Sequence, residues 1–401
     1  MARKKILVIT STFPRWANDT SPPFVFELSK RLARDFEVTI LAPSYPGALD
    51  REERDGLQIY RFRYFWRRFE TLAGEKAILP ALQSNPLRYL LIPFFLWAEL
   101  FSALRLVRQL GIEAIHAHWL LPQGLVAALV KMVTGVPFWV TAHGGDIFGL
   151  RGRLSLALKR LVLARAAGIT VVSRALAVKV RELEASAPLE IIPMGVDGEV
   201  FRPEKRDPGL RERLGIRGPF LLFVGRLSEK KGVRYLLEAM PPVLEKFPEA
   251  KLVLIGRGEL ADSLQALARQ LGIAGQVIFL GAVPNNDLPG YFASADIFIG
   301  PSVTAGGGDS EGFGLTFVEA GLSGAAVVGS KSGGITDIID DGETGLMVRE
   351  KDAADLSAAL LKIVADPELG AALAAEARRR FLAKFDWEVI AGRYRDFFRR
   401  F

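Results

Sequence analysis

Residues 220–239 read Phe220-Leu-Leu-Phe-Val-Gly-Arg-Leu-Ser-Glu-Lys-Lys-Gly-Val-Arg-Tyr-Leu-Leu-Glu-Ala239. Five apolar residues follow one another without alternation, as they do in a strand buried on both faces; a strand with one wet face would alternate. A basic loop bounded by Gly225 and Gly232 comes next, and Val233, Leu236 and Leu237 then recur at helical spacing. Strand, loop and helix in that order form half of a crossover unit, which predicts a parallel sheet covered by helices.

The same rhythm extends in both directions. Short apolar runs, most of them ending in Gly, Ser, Thr or His, lie at 6–10, 38–42, 114–118, 138–142, 169–173 and 190–193, and the series restarts with 220–225, 251–256, 277–281, 297–300 and 326–329. Two successive series of similar size predict two doubly wound α/β sheets. The Gly-, Pro- and charge-rich stretch 193–208 is the natural linker, with a boundary near Val196. Ligands of open α/β sheets bind beyond the carboxyl ends of the strands, so the expected site is the cleft where the two sets of strand ends face each other.

Composition narrows the classes. The chain has 401 residues, 50% hydrophobic, with 52 basic and 45 acidic side chains and no cysteine, which excludes a disordered chain and a disulfide-stapled module. No apolar run approaches twenty residues, so no membrane-spanning helix is expected. The apolar run after the basic N-terminus is shorter than the roughly 7 to 15 residues of a secretory core, and a cytoplasmic protein is expected. Residues 1–195 carry 26 basic against 16 acidic side chains and the remainder 26 against 29. Such asymmetry points the first half at something anionic, such as a lipid surface or a phosphorylated substrate. Residues 60–69 interleave four arginines with six aromatics, and 87–107 are strongly apolar with Arg88, Arg105 and Arg108 around them. Two readings stand: a face lying in the headgroups of an anionic membrane, or a strand and helix packed on the sheet with their arginine stems snorkelling. No nucleic-acid motif accompanies these residues.

Two motifs carry chemistry. Arg226 and Lys231 sit in a loop that opens a helix, where free amides and the helix dipole already favour anions, so they suit a diphosphate; a solvated basic turn is the plain alternative. In 309–320, Asp-Ser-Glu-Gly-Phe-Gly-Leu-Thr-Phe-Val-Glu-Ala, Gly312 and Gly314 let the backbone approach a ligand, and a helix is predicted from Leu315. Glu311 and Glu319, eight residues apart, would stand about 10 Å from each other at the helical rise, close to the separation of sugar and ribose in a nucleotide sugar. An isolated pair of glutamates at that spacing would more simply be a helix-entry carboxylate and an exposed one.

The segments 225–232, 311–320, 141–146, 191–197 and 332–348, together with 11–16 and 385–398, resemble family 4 of the retaining GT-B-fold glycosyltransferases over nearly the whole chain. The resemblance implies two Rossmann-like domains facing across a deep cleft. An acceptor-binding domain covers 1–195 with a returning helix at 385–401, and a nucleotide-sugar domain covers 196–384. By matching motifs, Arg226 and Lys231 are the donor-phosphate cations, Glu311 contacts the donor sugar and Glu319 holds the ribose. The backbone of Gly312, Phe313, Gly314 and Leu315 would meet the diphosphate. His143 reaches the sugar near its reacting carbon, with Asp146 beside it. Loops near Gly256 and around Val283 would choose between UDP and GDP. The sequence departs from the family pattern at Ser21-Pro22-Pro23, where many relatives have paired glycines, and at Phe26, where a histidine is common.

His116, His118 and His143 all fall near strand ends. A zinc site lacks recognisable ligand spacing; the expected arrangement has one histidine facing the cleft and another held by a backbone carbonyl. A strict Asp-x-Asp is absent, so neither a metal nor another cofactor is expected beyond the nucleotide diphosphate sugar as co-substrate. The expected reaction moves a hexosyl unit from a UDP- or GDP-sugar to an acceptor hydroxyl of a lipid-linked or cell-surface glycan precursor, with retention and with domain closure. A 2-epimerase of the same fold and a silent sugar-nucleotide-binding subunit are the alternatives. A dehydrogenase would need a G-x-G-x-x-G after the first strand, and none is present.

Overall fold

The computed structural model describes residues 3–16, 19, 22–74, 78–149, 152–306 and 308–400. Two compact units emerge, Met1–Met194 with Ile390–Phe401, and Gly195–Val389. In the first, strands β1 (Lys5–Ile9), β2 (Glu37–Pro43), β3 (Arg51–Arg54), β4 (Leu57–Phe62), β5 (Ala114–His118), β6 (Phe138–Ala142), β7 (Gly168–Val171) and β8 (Leu189–Ile191) form one sheet. Its order is β3-β4-β2-β1-β5-β6-β7-β8. In the second, β9 (Phe220–Val224), β10 (Lys251–Ile255), β11 (Val277–Gly281), β12 (Ile297–Gly300), β13 (Ala326–Ser330) and β14 (Leu346–Val348) follow the order β11-β10-β9-β12-β13-β14.

The continuous apolar runs are buried throughout β5, β6 and β9, as strands covered on both faces must be. The named strands pair in parallel with one exception: β3 runs antiparallel to β4, from Arg51 opposite Tyr60 to Arg54 opposite Leu57. This corrects the purely parallel expectation. Asp55 and Gly56 both take positive φ, 53° and 77°, the geometry of a tight two-residue hairpin turn. Strand order reverses between β1 and β5 and again between β9 and β12, and these switch points are where an open sheet offers a crevice to a ligand.

The helix Trp387–Arg399 closes the first unit. Tyr394, Phe397 and Phe398 are buried, Phe398 stacks on Trp139 at 4.5 Å and meets the edge of His116 at 5.0 Å, and Arg393 donates to the Ile191 carbonyl. Before it, Val196 bridges to Asp386 within the second unit.

The helix Ile92–Leu110, entered through the 3-10 turn Pro86–Leu91, requires a second correction. The 25-residue stretch Pro86–Leu110 is long and apolar enough, by length and composition, to cross a membrane, although charged residues interrupt its sequence. One face, with Phe95, Ala103, Leu106 and Val107, is buried in the first unit; the other exposes Phe94, Trp97 and Phe101.

Glu99 sits on the packed face at 0% exposure, where Gln123 Nε2 donates to its Oε1 at 3.2 Å. Glu99 Oε2 and Gln123 Oε1 have no hydrogen-bond partner among the described residues, so a single accepted bond is all that offsets the burial of this carboxyl. Burial pushes its pKa up to about 8, against the lowering effect of the Gln123 bond. Between the ordinary carboxyl value and 8 the folded chain therefore keeps a proton the unfolded chain has released, so Glu99 lowers stability as pH rises through that window. Glu99→Gln should remove this slope. Urea unfolding is expected to show the variant gaining on wild type by about 3 kcal/mol between pH 5 and pH 8; an equal difference at both pH values would refute the protonated form.

Candidate functional site

At the switch point of the second unit, the loop after β9 carries exposed Arg226 and the 3-10 turn Glu229–Lys231. Gly232 ends this turn at φ 64°, and a Cβ there would stand 1.9 Å from the Pro301 carbonyl oxygen, so only glycine lets this loop lie against the one after β12. That contact brings the motifs together. Lys231 Nζ donates to Glu311 Oε2 at 2.5 Å, Ser302 Oγ donates to the same oxygen at 3.3 Å, and Lys230 pairs with Asp309 at 3.1 Å. Burial alone would raise the Glu311 pKa, but the Lys231 and Lys230 ammoniums and these hydrogen bonds outweigh it and hold the carboxyl below its usual range.

Gly314, at φ 105°, starts the helix Leu315–Leu322. Phe317 N donates to the Gly314 carbonyl, while the amides of Leu315 and Thr316 have no backbone partner among the described residues, leaving donors at the dipole's positive end. The Phe313 ring packs on Phe385 at 5.5 Å, so its backbone, not its side chain, remains for a ligand. Glu319 lies one turn into this helix, and burial raises its pKa to about 7. The loop after β10 folds onto the same region: Leu227 N donates to Arg257 O at 3.0 Å, and Gly256 N to Gly281 O at 2.7 Å, with Val283 two residues beyond.

In the first unit the site residues gather at the ends of β5 and β6. His118 Nδ1 is 2.9 Å from His143 Nε2, and His116 Nε2 is 2.7 Å from Thr141 Oγ1. The expected backbone-carbonyl partner is thus replaced by the hydroxyl of Thr141, which stands level with His118 on the adjacent strand β6 and two residues beyond Trp139, the residue level with His116. Burial drives all three imidazoles toward the neutral form: His116 and His143 fall to about 3, and His118 falls well below its ordinary value. Asp146 is the organiser of this turn. Its Oδ1 accepts from the amides of His143 and Gly144 at 3.2 and 3.0 Å, and its Oδ2 from Leu120 N at 2.7 Å.

Phe24 and Trp119 flank His143, with ring centroids at 5.1 and 4.8 Å. Sequence reasoning missed both. Trp119 holds φ at 75°, a region costly for a bulky residue and found where surrounding structure over-determines it; a tryptophan directly after a strand end was the available signal. Phe26 turns elsewhere, against Phe13 and under the Arg54 guanidinium. Ser21 lies outside the described residues. Among the described residues no group of three His, Cys, Asp or Glu side chains could hold a metal ion.

Two doubly wound units with a cation-and-amide surface on one and a histidine turn on the other define the GT-B architecture. The family model "Glycosyltransferase Family 4" matches residues 23–200, and "Glycosyl transferases group 1" matches 209–380. A GDP-mannose-dependent alpha-(1-6)-phosphatidylinositol monomannoside mannosyltransferase of Mycobacterium tuberculosis is 31% identical over 74% of this chain and 78% of its own. A protein of the same name from Mycolicibacterium smegmatis is 28% identical over 97% and 96%. The chain belongs to this glycosyltransferase family. Among solved structures, the sucrose-phosphate synthase of Thermosynechococcus elongatus superposes with a TM-score of 0.82 at 23% identity, covering 99% of each chain. Anabaena HepE bound to UDP and glucose gives 0.77 at 18% identity over 100% of each chain. These two likenesses establish the fold.

Proposed function

We propose that the chain transfers a mannosyl unit from GDP-mannose to a hydroxyl of a phosphatidylinositol-type glycolipid, with retention and without a metal. The observation that carries this reading is the Lys231–Glu311 pair at the start of the helix Leu315–Leu322. An ammonium has three donors, so Lys231 can hold Glu311 and still meet phosphate oxygens. With Arg226 and the amides of Leu315 and Thr316 it would stabilise the charge that develops on the departing diphosphate. Glu311 and His143 then meet the sugar, and Glu319 the ribose. Among the described residues no carboxylate is an obvious covalent nucleophile, which favours same-face attack with a donor phosphate oxygen taking the acceptor proton. GDP-mannose is preferred over a UDP-sugar because the relatives that span most of the chain are named for it.

The acceptor side is supported by a surface of the first unit. Trp66 and Phe69 join Phe94 through Phe65, and Trp97 and Phe101 continue along the helix. Arg68 lies over the Phe69 ring at 4.7 Å, and Arg63, Arg67, Arg105 and Arg108, on the same two stretches of chain, are exposed. Aromatic rings amid cations suit an anionic bilayer surface, where a lipid-linked acceptor resides at the cytoplasmic face.

The test is GDP release from GDP-mannose on vesicles containing phosphatidylinositol monomannoside, alongside UDP-glucose and vesicles without the glycolipid. Release only with GDP-mannose and glycolipid together is expected. Release independent of acceptor, or epimerised donor, would replace the transferase reading.

A further inference from the structure

His118 and His143 share one hydrogen bond, Nδ1 to Nε2 at 2.9 Å, with ring planes 20° apart. Burial keeps both rings neutral, so each carries a single proton on one of its two nitrogens. Two arrangements satisfy the bond. If His143 donates from Nε2, His118 must carry its own proton on Nε2, which is buried and without a partner. A stranded buried donor costs about 1–3 kcal/mol. If instead His118 donates from Nδ1, its buried Nε2 is a bare lone pair, and unpaired acceptors are tolerated better than unpaired donors.

His116 obeys the same rule one position away. Its Nδ1 is buried and unpartnered while Nε2 meets Thr141 Oγ1, so the proton belongs on Nε2. The Thr141 hydroxyl then accepts from His116 and is left to donate to Thr170 Oγ1 at 2.6 Å. His143, half-buried, makes no other side-chain hydrogen bond among the described residues, so its Nδ1 is the nitrogen left for a ligand.

We propose that His118 is a positioning residue: by donating from Nδ1 it holds His143 as the tautomer protonated on Nδ1, so that His143 offers the sugar nucleotide a hydrogen-bond donor and not a base. The functional half of this statement rests on the reading of His143 as sugar-facing. It assigns His143 to orienting a donor-sugar oxygen and leaves the acceptor's proton to another group.

The chain has three histidines, so the full-length protein labelled with 15N-histidine gives three imidazoles, assignable with single variants. In the wild type, His143 is expected to show a protonated Nδ1 and a bare Nε2 across pH 6 to 8. His118→Asn, whose amide N–H replaces the Nδ1 donor, should keep that tautomer and most of the transfer activity. His118→Phe removes the donor; His143 should shift to the Nε2–H form and kcat should fall on the order of a hundredfold, with donor KM nearly unchanged. A wild-type spectrum with the proton on His143 Nε2 overturns the tautomer assignment whatever the kinetics. A His118→Phe protein with lowered Tm but unaltered tautomer and kcat reduces His118 to packing and overturns its positioning role. Transfer that persists in His143→Ala overturns the sugar-facing reading instead, and is recognised because the wild-type spectrum stays as stated.

Discussion

Lys231→Ala is expected to lower kcat/KM for transfer by two to three orders of magnitude while leaving the melting temperature nearly unchanged. Removing one preorganised group that stabilises developing charge costs about 10²–10³ in rate, and Lys231 also keeps Glu311 ionised. Without the ammonium, burial is the dominant influence on Glu311, so its carboxyl should take up a proton and lose acceptor capacity toward the sugar. Glu311→Gln keeps the shape and removes the charge, and should cost a similar amount. Because the two groups act as a unit, the double variant should lose little more than either single one. Additive losses, or near-normal transfer in either single variant, would show that the pair does not serve the donor.

Replacing Phe94, Trp97 and Phe101 together by Ser should weaken partition onto vesicles of anionic phosphatidylinositol about a hundredfold, with Tm and GDP binding retained. Trp97 and Phe101 are 72% and 63% exposed, so the substitutions remove little packing from the first unit. Full burial of such a side chain is worth about 1.5–3 kcal/mol, and three partly inserted rings reach the roughly 3 kcal/mol that a hundredfold change requires. Sedimentation at low and high salt separates the contributions: rising salt should release the wild type by screening its arginines, whereas the triple variant should be weak at both. Equal sedimentation of variant and wild type would leave these rings without a membrane role.

Much of this architecture is legible in the sequence because a strand covered on both faces leaves an unbroken apolar run. Ala114–His118, Phe138–Ala142 and Val277–Gly281 begin and end where those runs do. The hairpin β3–β4 is not legible that way, since Arg-Glu-Glu-Arg has no apolar run; its signal is the Asp55-Gly56 pair, a turn signature rather than a periodicity. Residues brought together by chain-local spacing, such as Gly312, Gly314 and the helix after them, are readable one motif at a time. The approach of Lys231 to Glu311, eighty positions apart, depends on two loops touching at Gly232 and Pro301, which no local pattern encodes. Glu99 was hidden for the opposite reason: its helix looks uniformly apolar, and one acidic residue there reads as an exposed interruption until the fold turns it inward.

The helix that carries Tyr394 and Phe398 also sets the order in which the protein is completed at the ribosome. Residues 195–389 form an uninterrupted unit and can finish folding as soon as they have emerged. The unit synthesised first must wait, with Trp139 uncovered, until Phe398 has left the exit tunnel. The half translated earliest is therefore completed only by residues translated last.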